Sequence, residues 1–284
     1  MVGPSPSVLM QHQRGTYLTS ANPSPRPANE AIRFDYVSVE FKRRQGDPVL
    51  ALDNFDLSVA EGRFVSLVGP SGCGKSTALR LVAGLTEVTR GQVRVVGAGH
   101  LRGFSRVAVV FQSPNLLPWK TVIDNVMYPV RFGSPASDFD YRARARELLD
   151  MVGLSRFADA YPAELSGGMQ QRVAICRSLI LDPKILLMDE PFSALDALTR
   201  EELQFELRRI HQHTGKTILF VTHSISESVL LADEIVVMAP RPGRLKDRFD
   251  VRLPPERTPT ILHHPDFPRY ADRVREGIYG KTAA

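Results

Sequence analysis

The chain has 284 residues, 43% of them hydrophobic and 24% charged, which is the composition of a globular protein with a substantial core. No stretch approaches the roughly 20 apolar residues of a membrane-spanning helix, and the first residues lack the apolar segment of a secretory signal. Cys73 and Cys176 are too few for a disulfide framework, and the net charge of +5 is spread along the chain. We therefore expect a cytoplasmic protein that does not bind nucleic acid.

The sequence changes character after its first thirty residues. Residues 1–30 are rich in proline, serine and asparagine, which predicts a disordered tail. From Ile32 to about Pro240, short apolar runs alternate with helical patterns. The run Thr217–Val221 is continuous and rich in β-branched residues, as in a strand buried on both faces of a mostly parallel sheet. This alternation predicts an α/β domain over residues 31–250.

Helical periodicity predicts helices at Lys75–Ala83, Asp138–Met151, Gly168–Leu181 and Leu198–His211. In the last of them, Leu203, Leu207 and Ile210 follow the i, i+4, i+7 spacing of one buried face. Residues 113–165 carry helical patterns with little strand signal, so we expect a helical lobe inserted in the domain. Residues 251–284 form a proline-containing C-terminal extension that is too short for a further domain.

The stretch GPSGCGKST at residues 69–77 follows an apolar strand and opens a helical pattern, which is the context that confirms a phosphate loop. Its glycines let the backbone curl around a phosphate chain, and the N–H groups at the helix start face the phosphate oxygens. Lys75 supplies a positive charge, and the Ser76 hydroxyl can ligate Mg²⁺. The predicted ATP-binding residues here are Gly69, Pro70, Ser71, Gly72, Cys73, Gly74, Lys75, Ser76 and Thr77.

The run ILLMDEP at residues 185–191 is an apolar strand that ends in two carboxylates. Asp189, at the carboxyl end of the strand, is expected to meet the phosphate loop and to hold Mg²⁺, through water. Glu190 lies one residue farther on, where it could accept a proton from a water molecule that attacks the γ-phosphate. The second acid favours hydrolysis over simple switching.

LSGGMQQR, at residues 165–172, places a serine and two glycines before a helical pattern, where free N–H groups can bind an anion. With the phosphate loop, the MDEP strand end and the histidine of VTHS, it resembles the ATP-binding cassette (ABC) ATPases over about Ile32–Pro240. The resemblance implies a phosphate-loop NTPase (RecA-like) core with a mostly parallel sheet, an antiparallel β subdomain and an inserted helical subdomain. It also implies ATP and Mg²⁺ as ligands.

In this family the LSGGMQQR-type loop binds the ATP of a second copy packed head-to-tail, so the resemblance implies a homodimer with two composite sites. The implied contacts to the partner's ATP are Ser166, Gly167, Gly168, Gln170 and Asp196. Asp196 ends the stretch Ser193–Asp196, which matches a loop that crosses to the partner.

The remaining matches imply a set of reaction residues. Gln112 follows the apolar run VAVV and matches a glutamine that senses Mg²⁺ and the attacking water, while His223 matches a histidine that contacts the γ-phosphate. The implied catalytic residues are Lys75, Gln112, Glu190 and His223, and the implied metal ligands are Ser76, Gln112 and Asp189. A lone glutamine or histidine is otherwise an unremarkable structural residue.

The family stacks adenine on an aromatic residue upstream of the phosphate loop. Phe41 is our choice, where many members have tyrosine, and Tyr36 and Phe34 are the alternatives because the insertion KRRQGD blurs the register. Phe41 could equally be a core residue.

A single cassette without a membrane span implies that separate permease subunits form any pore. We expect the helical lobe to dock on them near LLPWKTV (residues 116–122), where Trp119 is either a permease contact or a residue of the lobe core. This stretch and APRPGR (residues 239–244) resemble ATPases of nitrate, aliphatic sulfonate and taurine importers, a group similar to transporters of thiamine precursors. The implied location is the inner face of the cell membrane, with an extracytoplasmic solute-binding protein as an indirect partner.

Two other functions remain open from the sequence. An ABC ATPase of DNA repair or translation usually has two cassettes, a long coiled-coil insertion or a zinc hook, and none of these is seen. A nucleotide switch or a small-molecule kinase is disfavoured by LSGGMQQR.

Overall fold

The computed structural model describes residues 29–43, 46–95, 106–132 and 138–280. Its strands are β1 (Glu30–Phe41), β2 (Val49–Ala60), β3 (Phe64–Val68), β4 (Arg90–Val95), β5 (Val107–Val110), β6 (Ile185–Asp189), β7 (Thr217–Thr222), β8 (Glu234–Met238) and β9 (Leu245–Asp250). Its α-helices are α1 (Lys75–Val82), α2 (Val122–Met127), α3 (Tyr141–Met151), α4 (Gly167–Leu179), α5 (Ala197–Thr214), α6 (Ile225–Leu231) and α7 (Asp266–Tyr279). The predicted helices form, with ends within three residues of those expected.

The larger sheet has the strand order β5-β6-β7-β3-β8-β9, and only β9 runs antiparallel to its neighbour. Every residue of β3, β7 and β8 is buried, because both faces of the sheet are covered. The buried strand predicted at Thr217–Val221 is therefore confirmed.

A smaller antiparallel sheet, with the order β2-β1-β4, packs over one face of the larger one and encloses α1 between them. The shared core is apolar and includes Phe34, Leu57, Leu79 and Leu219. On the other face, α5 directs Leu203, Leu207 and Ile210 into the main core, as their spacing predicted. This layered α/β arrangement confirms the predicted fold class.

The inserted lobe contains α2 and α3, with short 3₁₀ turns around them, and it packs against α4. Asn125 of α2 is fully buried and fixes the preceding loop: its Oδ1 accepts from the Leu117 N–H at 2.7 Å, and its Nδ2 donates to three carbonyl oxygens. The loop presents Trp119 with 71% of its surface exposed, so the lobe-core alternative for this residue is wrong.

The chain after residue 250 joins the same core, because Val251, Phe267 and Val274 belong to the main apolar cluster. Arg257 connects this segment to α6 by donating to the carbonyl oxygens of Val229 and Leu230, which a helix end leaves without intrahelical partners. The domain boundaries proposed above at residues 30, 113, 165 and 250 remain predictions.

Some expectations concern positions that the structure does not describe. The tail predicted at residues 1–30 lies outside the described residues except for Asn29 and Glu30, and β1 begins at Glu30. The insertion KRRQGD is described only in part, because residues 44–45 lie outside as well. Among the described residues, no helix combines the length and apolar character needed to cross a membrane.

Replacing Arg257 with methionine should lower the free energy of unfolding by about 2–4 kcal/mol, because buried carbonyl groups at the end of α6 lose their charged donor. Urea unfolding monitored by circular dichroism measures this change. Arg252→Met, at an exposed position in the same segment, is the matched control and should change stability by less than about 0.5 kcal/mol. Equal losses in the two variants would contradict the capping role of Arg257.

Candidate nucleotide site

Four neighbouring parallel strands end at one edge of the larger sheet, and a predicted site residue or loop follows each of them. The loop at residues 69–74 follows β3, and His223 follows β7. Asp189 is the last residue of β6, and Glu190 comes directly after it. Gln112 lies two residues beyond β5, whose last residue pairs with Met188 of β6. The carboxyl edge of a parallel sheet is the usual ligand-binding edge of such folds, and here it collects these residues.

The loop at residues 69–74 curls tightly onto α1. Gly74 precedes the helix with φ of 100°, and a Cβ atom there would lie 2.8 Å from the Ala51 carbonyl oxygen, so the position requires glycine. Lys75 is 5% exposed, and its ammonium group donates to the carbonyl oxygens of Gly69 at 2.8 Å and Pro70 at 3.0 Å. A buried cation thus faces a concave backbone, an arrangement that suits a phosphate group.

The Ser76 hydroxyl donates to Oδ1 of Asp189 at 2.8 Å, which joins the start of α1 to the end of β6. Burial, followed by the charge of Glu190, raises the pKa of Asp189, against the hydrogen bond from Ser76 and the charges of Arg80 and Lys75. A hydroxyl and a carboxylate are hard oxygen ligands that fit Mg²⁺.

No group of three or more His, Cys, Asp or Glu side chains is placed to hold a metal ion in the described part of the chain.

Glu190 has a strained backbone with φ of 46°, a left-handed conformation uncommon outside glycine. Its N–H donates to the Val221 carbonyl oxygen at 2.9 Å, and its own carbonyl accepts from the Ser193 hydroxyl at 3.0 Å. Nδ1 of His223 lies 3.1 Å from Oε2 of Glu190. Two of the four side chains that the sequence assigns to catalysis are therefore in direct contact.

A buried polar group behind His223 was missed in the sequence. Glu227 accepts from the Thr222 hydroxyl at 2.6 Å and from Nε2 of Gln204 at 3.2 Å, and it connects the turn that carries His223 to α5. Burial raises the pKa of Glu227, opposed by those two hydrogen bonds and by the charges of Arg200 and His223. The available signal was its place four residues after His223, on the first turn of a helix.

The LSGGMQQR stretch begins α4. Ser166 caps the helix by accepting from the Met169 N–H at 3.3 Å, and Ser166 and Gly167 are exposed. Across the described ranges, no hydrogen bond or ion pair joins this loop to residues 69–77. The Gln170 amide donates to the carbonyl oxygens of Pro162 and Leu165 in its own chain, and its contact with the partner's ATP stays a prediction.

The Ser193–Asp196 loop begins α5. Asp196 is exposed and caps the helix through the Thr199 N–H at 3.0 Å, which also lowers the pKa of this carboxyl group. Arg200 holds the loop from behind by donating to the carbonyl oxygens of Phe192 at 3.2 Å and Leu195 at 2.7 Å. A braced loop thus presents Asp196 to the outside of the molecule.

The structure separates the aromatic candidates for adenine stacking. Phe34 is fully buried against Phe55, with ring centroids 5.3 Å apart, and cannot meet a ligand there. Phe41 and Tyr36 are 42% and 60% exposed, so the alternative of Phe41 as a core residue is wrong. Phe41 remains our prediction for the stacking residue, and the choice between it and Tyr36 is still open.

Comparisons with known proteins agree with this geometry. The family model described as ABC transporter matches residues 52–193. The taurine import ATP-binding protein TauB of Rhizobium johnstonii is 47% identical over 220 residues, which are 78% of this chain and 84% of the relative. An uncharacterised ABC transporter ATP-binding protein of Methanocaldococcus jannaschii is 50% identical over 222 residues, 75% of this chain and 80% of the relative.

Solved structures of ATP-binding cassettes are similar to this chain as well. The dimeric post-hydrolysis structure of the ATP-binding cassette MJ0796, bound to ADP and Pi, superimposes with a TM-score of 0.68 at 34% identity. The match covers 78% of this chain and 99% of that one. A second dimeric structure of MJ0796, described as a bacterial ABC transporter cassette, gives a TM-score of 0.68 at 35% identity.

The buried carboxyl group of Glu227 should make the free energy of unfolding depend on pH. Because its pKa is raised in the folded state, its contribution to stability is greatest below the unfolded value of 4.5 and is lost as the pH rises through the folded pKa. We expect the Glu227→Gln variant to gain stability relative to the wild type over that rise. Denaturant unfolding across the pH range measures the difference.

Glu201→Gln, which removes an exposed carboxylate from α5, is the control for this comparison. A stability difference between Glu227→Gln and the wild type that does not change with pH would contradict the raised pKa.

Proposed function

This chain belongs to the ABC transporter family and is an ATPase, and from that premise we propose that it powers the import of taurine or a related sulfonate through a separate membrane permease. The observation that carries the ATPase assignment is the convergence of the buried Lys75, the Ser76–Asp189 pair and the Glu190–His223 pair at one sheet edge.

Hydrolysis is assigned to residues of this edge. Lys75 and the backbone N–H groups of residues 71–77, Thr77 included, bind and orient the phosphate chain. Ser76, Asp189 and Gln112 would hold Mg²⁺, which would supply neutralisation of the negative charge on the phosphates. Phe41 stacks on the adenine ring.

Glu190 is the general base in this proposal. With a proton on Nδ1, His223 donates to Oε2 of Glu190 and leaves Oε1 to accept a proton from the attacking water. The water oxygen bonds to the γ-phosphorus as the bond to the bridging oxygen breaks, which yields ADP and phosphate. Backbone hydrogen bonds to Val221 and Ser193 hold Glu190 in its left-handed conformation and so direct its carboxylate for this step.

The active unit is proposed to be a head-to-tail homodimer. Ser166, Gly167 and Gly168 of one copy would contact the γ-phosphate held by the other, and Asp196 would order the shared site. Exposure of the Ser166 and Asp196 loops and the dimeric MJ0796 cassettes support this arrangement. Gln170 is assigned to the same shared site, although its Nε2 also donates within its own chain.

The helical lobe is proposed to dock on the permease at the cytoplasmic face of the membrane, with Trp119 as a central contact. Its exposure is unusual for tryptophan, and the buried Asn125 pre-forms the loop that presents it. Closure of the two cassettes would drive the conformational change of the permease, which in turn receives solute from the solute-binding protein.

The solute assignment is supported by relatives whose names specify taurine import, in Rhizobium johnstonii and in Ruegeria pomeroyi at 44% identity. Nitrate, aliphatic sulfonates and thiamine precursors are the alternatives, because a cassette does not touch the solute. A role on nucleic acid or ribosomes is not favoured by any of these relatives.

Reconstitution with the cognate permease and solute-binding protein in liposomes tests this proposal. We expect taurine to stimulate ATP hydrolysis more than nitrate, an alkyl sulfonate or a thiamine pyrimidine precursor does. Trp119→Ala should keep ATP binding and lose most of the stimulation, because the lobe loses its exposed aromatic contact.

Tyr279→Ala, an exposed aromatic residue on α7, is the matched control and should retain stimulation. Equal stimulation in the two variants would contradict the docking role of Trp119. Stimulation by another solute alone would contradict the taurine assignment.

A further inference from the structure

The segment APRPGR, Ala239–Arg244, follows β8 and turns back beneath the phosphate loop. The Ala239 N–H donates to the Arg244 carbonyl oxygen at 2.9 Å, which closes the turn. Gly243 then pairs with β2: its N–H donates to the Ala51 carbonyl oxygen at 2.9 Å, and its own carbonyl accepts from the Asp53 N–H at 3.0 Å. The segment is therefore fixed to the framework on one side.

Its other side contacts the phosphate loop directly. A Cβ atom at Gly243 would lie 2.0 Å from the Cys73 carbonyl oxygen, so only glycine allows this approach. Nε of Arg241 donates to the Gly72 carbonyl oxygen at 3.3 Å. Two successive carbonyl groups of the loop are thus backed by the same short segment.

The charge of Arg241 distinguishes it from its neighbour. Arg244 forms an ion pair with Asp53, whereas within the described ranges no carboxylate lies within ion-pairing distance of Arg241. Arg241 is exposed, and its guanidinium lies against the loop that binds nucleotide phosphates in the proposal above. Its positive charge is therefore available to an anion at that loop.

The contact also bears on the orientation of a peptide group. In a trans peptide the C=O and N–H groups point in opposite directions, so holding the Gly72 carbonyl toward Arg241 directs the Cys73 N–H away from it. That N–H lies inside the loop, where it donates to the Pro70 carbonyl oxygen at 3.3 Å. The interior of the loop is where phosphate oxygens are expected.

We propose that Arg241 is a positioning residue of the nucleotide site, which holds the Gly72–Cys73 peptide in its phosphate-binding orientation and adds positive charge beside the phosphates. This inference rests on the proposed assignment of residues 69–77 to ATP. Pre-organisation of this kind raises affinity without entering the chemical step, so its loss changes nucleotide binding and KM but not kcat.

Equilibrium binding of Mg-ADP to the full-length chain tests the proposal, measured by isothermal titration calorimetry. Arg241→Ala should weaken binding about fivefold, on the order of one exposed charge-assisted hydrogen bond. Arg241→Gln removes the charge and Arg241→Lys restores it, so affinity should rise from alanine to glutamine to lysine. In ATPase assays KM should rise with kcat unchanged.

Lys246→Ala, which removes an exposed positive charge from the neighbouring strand, is the control and should bind like the wild type. Arg241→Ala binding equal to that of Lys246→Ala would overturn the proposal. So would a fall in kcat that follows a lowered Tm, since that pattern indicates a purely structural role.

Lys75→Ala keeps this test separate from the proposed function. Intact Mg-ADP binding in Lys75→Ala would refute the nucleotide site itself. A lost affinity in Lys75→Ala together with an unchanged affinity in Arg241→Ala would refute the role of Arg241 alone.

Discussion

Parallel pairing of β3, β6 and β7 brings three distant parts of the chain to one edge of the sheet, and the reaction geometry depends on it. The strands are apolar and buried, so their register is fixed by core packing rather than by the polar residues beyond their ends. The hydrogen bond from Ser76 to Asp189 and the contact of His223 with Glu190 then follow from where the strands stop.

Around that edge, hydrogen bonds from neighbouring elements hold the loops that carry the polar side chains. The turn carrying His223 is connected to α5 through Glu227, and the same helix braces the Asp196 loop through Arg200. Beneath the phosphate loop, Gly243 packs so closely that a side chain at this position would meet the Cys73 carbonyl oxygen. Such support holds a strained residue like Glu190 in its conformation.

Features with a local cause could be predicted from the sequence. Helix α5 and its buried Leu203 and Leu207 follow from periodicity, and the phosphate loop follows from its glycines and lysine. Contacts between distant segments that no motif marks could not be predicted, because no periodic pattern encodes them. The packing of Arg241 on the phosphate loop and the inward turn of the Gln170 amide both depend on how separate elements meet.

We propose that each chain supplies two half-sites and that ATP joins two chains. Light scattering of the full-length Glu190→Gln variant with Mg-ATP tests it most directly, because this variant should bind ATP without consuming it. We predict that the mass doubles only when Mg-ATP is present, and that adding Ser166→Arg, at the exposed cap of α4, keeps the protein monomeric. A variant that binds ATP but stays monomeric, or a double variant that still dimerises, would contradict the account.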